Sequence, residues 1–179
     1  MDLAAKFLQS NPWPTRDGQR VLFILDSRNS FEADLLRQWI HHHCASGSEE
    51  FDAPQICLEL GDDRKKIDSA QLVIALALPA DALVAPLRVA WLPSQEDIDS
   101  GPRLRNLLFG DPRHPSARRG RTILSESPER MRLIAGAPDS VANLRQRFEQ
   151  HHNIEDGDAQ LDFADFVGRQ AALVLEIAE

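Results

Sequence analysis

Cysteine is scarce in this chain of 179 residues. The two cysteines, Cys44 and Cys57, are too few for a disulfide framework or a cysteine-rich zinc site. A domain of this length can bury enough apolar surface to fold without such staples. We therefore expect a reduced, cytosolic compartment, with no metal and no other cofactor.

Long apolar runs are also missing. The first twelve residues lack a basic start followed by an apolar stretch, so they do not look like a secretory signal. Residues 72–92 are the most apolar segment, but Pro79, Asp81, Pro86 and Arg88 interrupt it. A membrane-spanning helix needs roughly 20 clean apolar residues. Peripheral membrane contact stays open, because it needs only a surface patch.

Positive charge and glycine are both lacking where nucleotide or nucleic-acid binding would need them. The chain has 20 basic and 28 acidic residues, for a net charge of −8, whereas phosphate neutralisation needs a positive surface. A predicted strand ends at Asp26, and residues 27–30 after it contain no glycine. Backbone amides therefore cannot approach a pyrophosphate as they do in dinucleotide-binding folds. We expect no nucleic-acid partner and no classical nucleotide site.

The pattern that the sequence does contain is an alternation of strands and helices. Short β-rich apolar runs predict four strands, at residues 20–26, 54–60, 84–92 and 131–135. Helical spacing of apolar residues predicts helices between and after them. Such alternation favours an α/β fold, a parallel-rich twisted sheet of about four strands with flanking helices and a C-terminal helix leading out of the domain.

Several helical details follow from spacing. Asn29 precedes Glu32 by three residues, as in a capping box, and Asp139 is a candidate N-cap. Residues 67–77 fit a buried helix or a strand, and we favour the helix. Trp39, on the first long helix, and Trp91, on a central strand, are predicted to be buried. The last helix carries an apolar stripe of Phe163, Phe166, Val167, Leu173, Val174 and Ile177.

The basic residues are unevenly distributed. Residues 103–132 contain eight arginines and three acidic residues, a net charge of +5, which leaves −13 for the rest of the chain. We interpret residues 103–130 as a polar loop that could meet an anionic membrane surface or grip a phosphate through guanidinium groups. Pairing with the chain's own acidic residues is the third alternative. The anionic-surface or phosphate candidates are Arg103, Arg105, Arg113, Arg118, Arg119 and Arg121.

A run of metal-ligating residue types, His41 to Cys44, is not predicted to bind metal. Neighbouring side chains on a helix point in different directions, so three consecutive imidazoles cannot converge on one ion.

An ordered series of motifs in the second half of the chain resembles a known family. The segments that carry the resemblance are residues 87–93 (LRVAWLP), 110–115 (GDPRHP), 121–124 (RTIL), 132–136 (RLIAG), 144–145 (LR) and 162–171 (DFADFVGRQA). This series is similar to the N-terminal region of bacterial membrane-bound glycerol-3-phosphate 1-O-acyltransferases. The similarity covers roughly residues 84–178, and the GDPRHP segment is its most specific part.

The resemblance implies a place in phospholipid synthesis. The complete enzymes transfer an acyl group from acyl-CoA or acyl carrier protein to the 1-hydroxyl of glycerol 3-phosphate, at the cytoplasmic face of the inner membrane. Their catalytic base is a His that precedes an Asp by five positions, and it lies C-terminal to the region matched here. His151 and Asp156 have this spacing, but a polar loop separates them and no arginine-rich phosphate block follows. We therefore expect no catalytic residue in this chain.

These inferences define one leading hypothesis and one alternative. In the first, residues 1–19 are an arm, 20–150 a non-catalytic α/β domain, and 151–179 a linker and the start of a helix toward an absent catalytic domain. Such a domain would be peripheral to the membrane, with that catalytic domain, an anionic membrane surface and a second copy of the chain as candidate partners. In the alternative, the chain is a stand-alone α/β module that binds an anionic ligand or membrane through its Arg-rich loop.

Overall fold

The secondary structure follows the predicted alternation closely. The computed structural model describes residues 20–46, 56–60, 72–73, 76–94, 113–151 and 159–178. Its strands are β1 (Val21–Asp26), β2 (Ile56–Leu60), β3 (Leu83–Trp91), β4 (Met131–Ala135) and the two-residue β5 (Asp139–Ser140). Its helices are α1 (Ser30–Ser46), α2 (Ala117–Glu126), α3 (Val141–His151) and α4 (Ala159–Ala178), with a 3-10 turn at Pro128–Arg130.

The strands form one sheet in the order β2-β1-β3-β4. β1 pairs in parallel with both β2 and β3, while β4 and the short β5 run antiparallel to β3. Parallel neighbours need a crossover, and α1 lies in the connection from β1 to β2. This arrangement confirms the expected α/β fold, with a sheet of about four strands, flanking helices and a C-terminal helix.

The sheet is buried on both faces. Val21, Phe23 and Leu25 of β1 pack in one cluster with α1 and α2, while Leu22 and Ile24 pack in another with α3 and α4. Successive side chains of a strand point to opposite faces, so a strand covered on both sides must be apolar throughout. The uninterrupted apolar run of β1 is explained by this three-layer packing.

Helix α1 starts at the predicted cap. The Asn29 Oδ1 atom accepts a hydrogen bond from the Glu32 amide at 3.1 Å. In a standard capping box the Glu side chain returns to the cap amide, but here it accepts from the Arg28 amide at 2.8 Å. Leu35, Leu36 and Ile40 face the sheet with Trp39. The predicted burial of Trp39 and Trp91 is confirmed, with exposed fractions of 0% and 4%.

The stretch predicted as a polar loop contains a helix, so that prediction is wrong over residues 117–126. Ser116 caps α2 by accepting a hydrogen bond from the Arg119 amide. The buried side of α2 consists of Gly120 and Ile123, with Leu124 half-buried. Because this side has few apolar residues and a glycine among them, the sequence shows no clear helical spacing of apolar residues here.

Helix α4 packs on the sheet, and its apolar stripe differs from the predicted one. Phe163 and Val167 are buried as expected, but Leu173 and Ile177 are 49% and 78% exposed. The stripe continues instead through small residues and Leu175, which are buried at helical spacing. The buried residues of α4 that sequence reasoning missed are Ala164, Gly168, Ala171 and Leu175. The predicted boundary at residue 150 therefore divides two parts that share one hydrophobic cluster.

Two smaller predictions can also be compared with the structure. Leu72, Val73 and Leu76 are helical, as favoured for residues 67–77, and both leucines are buried. The cap of α3 is Ser140, whose Oγ accepts from the Asn143 amide at 3.1 Å, rather than Asp139. Asp139 instead accepts from the Ser140 amide and pairs with Val84 of β3 as part of β5.

Truncating Trp39 tests the sheet-facing side of α1. We expect Trp39→Ala to lower the free energy of unfolding by about 3–5 kcal/mol, because a large, fully buried side chain leaves a cavity. Gln38→Ala, on the exposed side of the same helix, should change it by less than about 0.5 kcal/mol. Chemical denaturation of both variants measures the difference. Equal midpoints for the two variants would contradict the packing of α1.

Candidate functional site

The carboxyl ends of β1 and β3 lie side by side, with Asp26 paired in register with Arg88. The chain leaves β1 toward β2 on one side, and β3 follows on the other. In open α/β sheets ligands bind in the crevice at such a switch point. This edge is therefore where the fold predicts a ligand site. It is called the carboxyl edge below.

An ion pair lies at the carboxyl edge. The Arg88 guanidinium donates from Nε to Asp26 Oδ2 at 2.6 Å, and its Nη2 lies 2.5 Å from the same oxygen. Each side chain is only 12% exposed. The two opposite charges compensate each other inside the fold. Removing either partner would leave the other charge unpaired and shielded from water.

A second carboxylate, Glu32, is almost completely buried, with an exposed fraction of 2%. Its Oε1 accepts from the Trp91 indole Nε1 at 2.8 Å, and its Oε2 accepts from the Arg28 amide at 2.8 Å. Glu32 thus joins the start of α1 to the end of β3. Both oxygens have donors, which is the condition for keeping a carboxylate inside a protein.

Burial raises the pKa of Glu32 above its ordinary value of 4.5, and the negative charge of Asp26 raises it further. The hydrogen bond from Trp91 and the nearby His114 act in the opposite direction but are outweighed. A raised carboxyl pKa in a cleft is a common mark of a functional site. Here the carboxylate faces an indole and a backbone amide, so its role is to hold the edge together.

Helix α2 leans against this edge. A Cβ on Gly120 would lie 3.1 Å from the Phe31 ring and 3.2 Å from Trp91, so glycine permits the close approach. The Phe31 and Trp91 rings stack with centroids 6.5 Å apart. The Arg121 guanidinium lies over the Phe31 ring at 5.1 Å. The Asn29 side-chain Nδ2 also donates to the Pro115 carbonyl at 3.4 Å, which holds the starts of α1 and α2 close together.

The structure brings four of the six arginine candidates to one surface. Arg113 lies in the turn before α2, and Arg118, Arg119 and Arg121 lie on the helix itself. Arg113, Arg118 and Arg121 are exposed, while Arg119 is half-buried. These four residues are called the arginine surface below. The other two candidates, Arg103 and Arg105, lie outside the described residues.

One arginine of the same stretch, Arg130, has a structural role, and other arginines of the chain form ion pairs. The Arg130 side chain donates from Nε to the Leu92 carbonyl at 3.0 Å, which secures the chain beyond β3. Ion pairs elsewhere use other arginines, as in Arg37 with Asp34 on α1 and Arg147 with Asp139 near α3. The third alternative, pairing of the stretch with the chain's own acidic residues, stays a prediction.

The remaining sequence motifs contribute no centre in the part of the chain that can be described. His151 is the last residue of α3, but its side chain and the whole of Asp156 lie outside that part. His41 is exposed and His42 half-buried on α1. Among the described residues no group of three or more His, Cys, Asp or Glu side chains could hold a metal ion.

Comparison with known proteins leaves the family open. No protein-family model matches the chain, and no solved structure matches it. None of the helices within the described ranges is both long enough and apolar enough to cross a bilayer.

Replacing Glu32 tests whether its pKa is raised in the folded protein. The carboxyl contributes stability that is complete below its unfolded pKa and is lost as pH rises through the raised folded value. Glu32→Gln removes this titration. The stability of the wild type relative to Glu32→Gln should therefore fall as pH rises from about 4 toward neutrality. Urea denaturation over this range measures it.

Glu149→Gln, on the exposed side of α3, controls for the loss of one acidic group. A difference between wild type and Glu32→Gln that grows with pH would show that Glu32 is stabilised as the anion, contrary to the burial argument.

Proposed function

We propose that this chain is a non-catalytic α/β domain of a glycerol-3-phosphate acyltransferase, peripheral to the cytoplasmic face of a bacterial inner membrane, where its arginine surface contacts acidic headgroups. The observation that carries the docking part is the exposure of Arg113, Arg118 and Arg121 on one helix and the turn before it. The acyltransferase part rests on the motif resemblance.

The shape of α2 supports a docking role for its outer side. Gly120 and Ile123 face the protein, so the arginines at positions 118 and 121, three residues apart, share the outer side. Each basic residue near an anionic membrane contributes about 1 kcal/mol of attraction. Arg118 and Arg121 on the helix and Arg113 in the turn before it can act together, because the helix holds its two arginines in place before binding.

The use of the buried acids supports a non-catalytic role. Asp26 is bound to Arg88, and Glu32 to Trp91 and the Arg28 amide. A general base needs to reach the proton that it removes. Both Glu32 oxygens and Asp26 Oδ2 already accept hydrogen bonds within the fold.

Charge removal on the arginine surface should weaken binding to acidic vesicles. We expect the variant Arg113→Ser/Arg118→Ser/Arg121→Ser to co-sediment at least about tenfold more weakly with vesicles containing phosphatidylglycerol, in line with about 1 kcal/mol for each arginine. Wild-type binding should fall as salt rises from 0.1 to 1 M, where the Debye length shrinks from about 10 Å to about 3 Å. Neutral vesicles should bind neither protein.

A matched triple variant separates position from net charge. Arg37→Ser/Arg145→Ser/Arg169→Ser removes three exposed arginines from α1, α3 and α4. It should bind acidic vesicles as the wild type does. Equal weakening by the two triple variants, or no binding by the wild type at low salt, would reject docking through α2.

The alternative is a stand-alone module that uses the same arginines for a soluble anionic ligand. Lipid headgroups and free phosphate esters share the chemistry that guanidinium groups recognise. Soluble glycerol phosphate at millimolar concentration, added to the vesicle assay, distinguishes them. Release of the protein at low millimolar concentration favours the soluble ligand, and retention favours the lipid surface.

The chain alone should have no acyltransferase activity. Incubation with glycerol 3-phosphate and an acyl thioester is expected to release thiol no faster than without protein, because the downstream catalytic motif is absent from this sequence. Thiol release that needs both substrates and disappears in His151→Ala would contradict the non-catalytic assignment.

A further inference from the structure

A small cavity opens on the face of the sheet opposite the arginine surface. It lies between β3, the turn after β4, and helices α3 and α4, and its volume is about 170 Å³. A cavity of about 150 Å³ with apolar walls is large enough to bind benzene. The cavity therefore has the size of one six-membered ring.

The floor of this cavity is apolar and well buried. Val84 of β3, Leu144 of α3, and Val167 and Ala171 of α4 line it, each no more than 4% exposed. Gly136 helps to set its width, because a Cβ there would lie 2.7 Å from Pro86 and 2.8 Å from Val174, which also line the cavity. An apolar group would lose its contact with water on entering.

The rim of the cavity is polar, but its charges cancel. Arg147 forms an ion pair with Asp139, and Asp139 also accepts from the Ser140 amide and the Asn143 side chain. Gln170 adds a neutral amide that can both donate and accept. A charged ligand would meet no net opposite charge here and would lose its hydration. A neutral group needs no opposite charge and has less hydration to lose, and it can form a hydrogen bond with Gln170.

We propose that this cavity is a binding site for a neutral, ring-sized apolar molecule with one hydrogen-bonding group, which faces Gln170 at the rim. The volume of the cavity limits the ligand to about one ring. The buried floor requires that this ring be apolar, and the paired charges at the rim disfavour a ligand with a net charge. This site is separate from the arginine surface and does not depend on the proposed acyltransferase family.

Phenol is the probe, with benzoate and benzylammonium as its charged counterparts and toluene as the apolar one. Methyl-labelled protein, as the full chain, is titrated with each compound and followed by NMR. We expect saturable shifts of the Val84, Leu144 and Val167 methyl groups with phenol, with a dissociation constant on the order of 1 mM for so small a ligand. Both charged compounds should bind at least about tenfold more weakly.

Two variants and a matched control test the position of the site. Ala171→Leu fills the cavity and should weaken phenol binding at least about tenfold, whereas Ala142→Leu, the same change on the exposed side of α3, should not. Gln170→Ala should weaken the binding of phenol several-fold and leave the binding of toluene unchanged. This second variant tests the site if Ala171→Leu does not fold. The proposal is overturned by the absence of saturable shifts, by benzoate binding as tightly as phenol, by unchanged binding in Ala171→Leu, or by equal effects of Gln170→Ala on phenol and toluene.

Discussion

The hydrogen bonds to the buried Glu32 carboxylate hold the carboxyl edge of the sheet in place. Trp91 Nε1 and the Arg28 amide both donate to this side chain, so the end of β3 and the start of α1 are fixed to each other. Without the carboxylate, a buried indole N–H would lack its acceptor, at a penalty of about 1–3 kcal/mol. Helix α2 rests on Phe31 and Trp91 through Gly120, so the position of the arginine surface depends on the same contact.

The charges of this acidic chain fall into two groups with different surroundings. At the carboxyl edge, Asp26 and Glu32 are turned inward and bound by donors from neighbouring elements. On α2, Arg118 and Arg121 are exposed, with the Arg121 guanidinium over the Phe31 ring, and Arg113 is exposed just before them. A net charge of −8 therefore coexists with a local basic surface. Charges more than about 10 Å away are largely screened at 0.1 M ionic strength, so the local charge rather than the total governs attraction to a surface.

Sequence reasoning succeeded where the signal was local and apolar. The runs at residues 20–26 and 131–135 became β1 and β4, because buried strands must be apolar on both sides or in strict alternation. It missed α2, whose inner side is only a glycine and two aliphatic residues. It also extended the α4 stripe to Leu173 and Ile177, because these are large apolar residues, although the buried side of the helix follows smaller ones. The bond from Glu32 to Trp91 joins residues 59 positions apart, and no local pattern encodes it.

We propose above all that α2 and the turn before it are the part of this domain that meets acidic lipid. Paramagnetic relaxation from spin-labelled headgroups, recorded on the backbone amides with anionic nanodiscs, tests it most directly. The account predicts the strongest line broadening at residues 113–121 and little change along α3 and α4. Strongest broadening around the exposed Leu173 and Ile177, or uniform broadening along the chain, would contradict it.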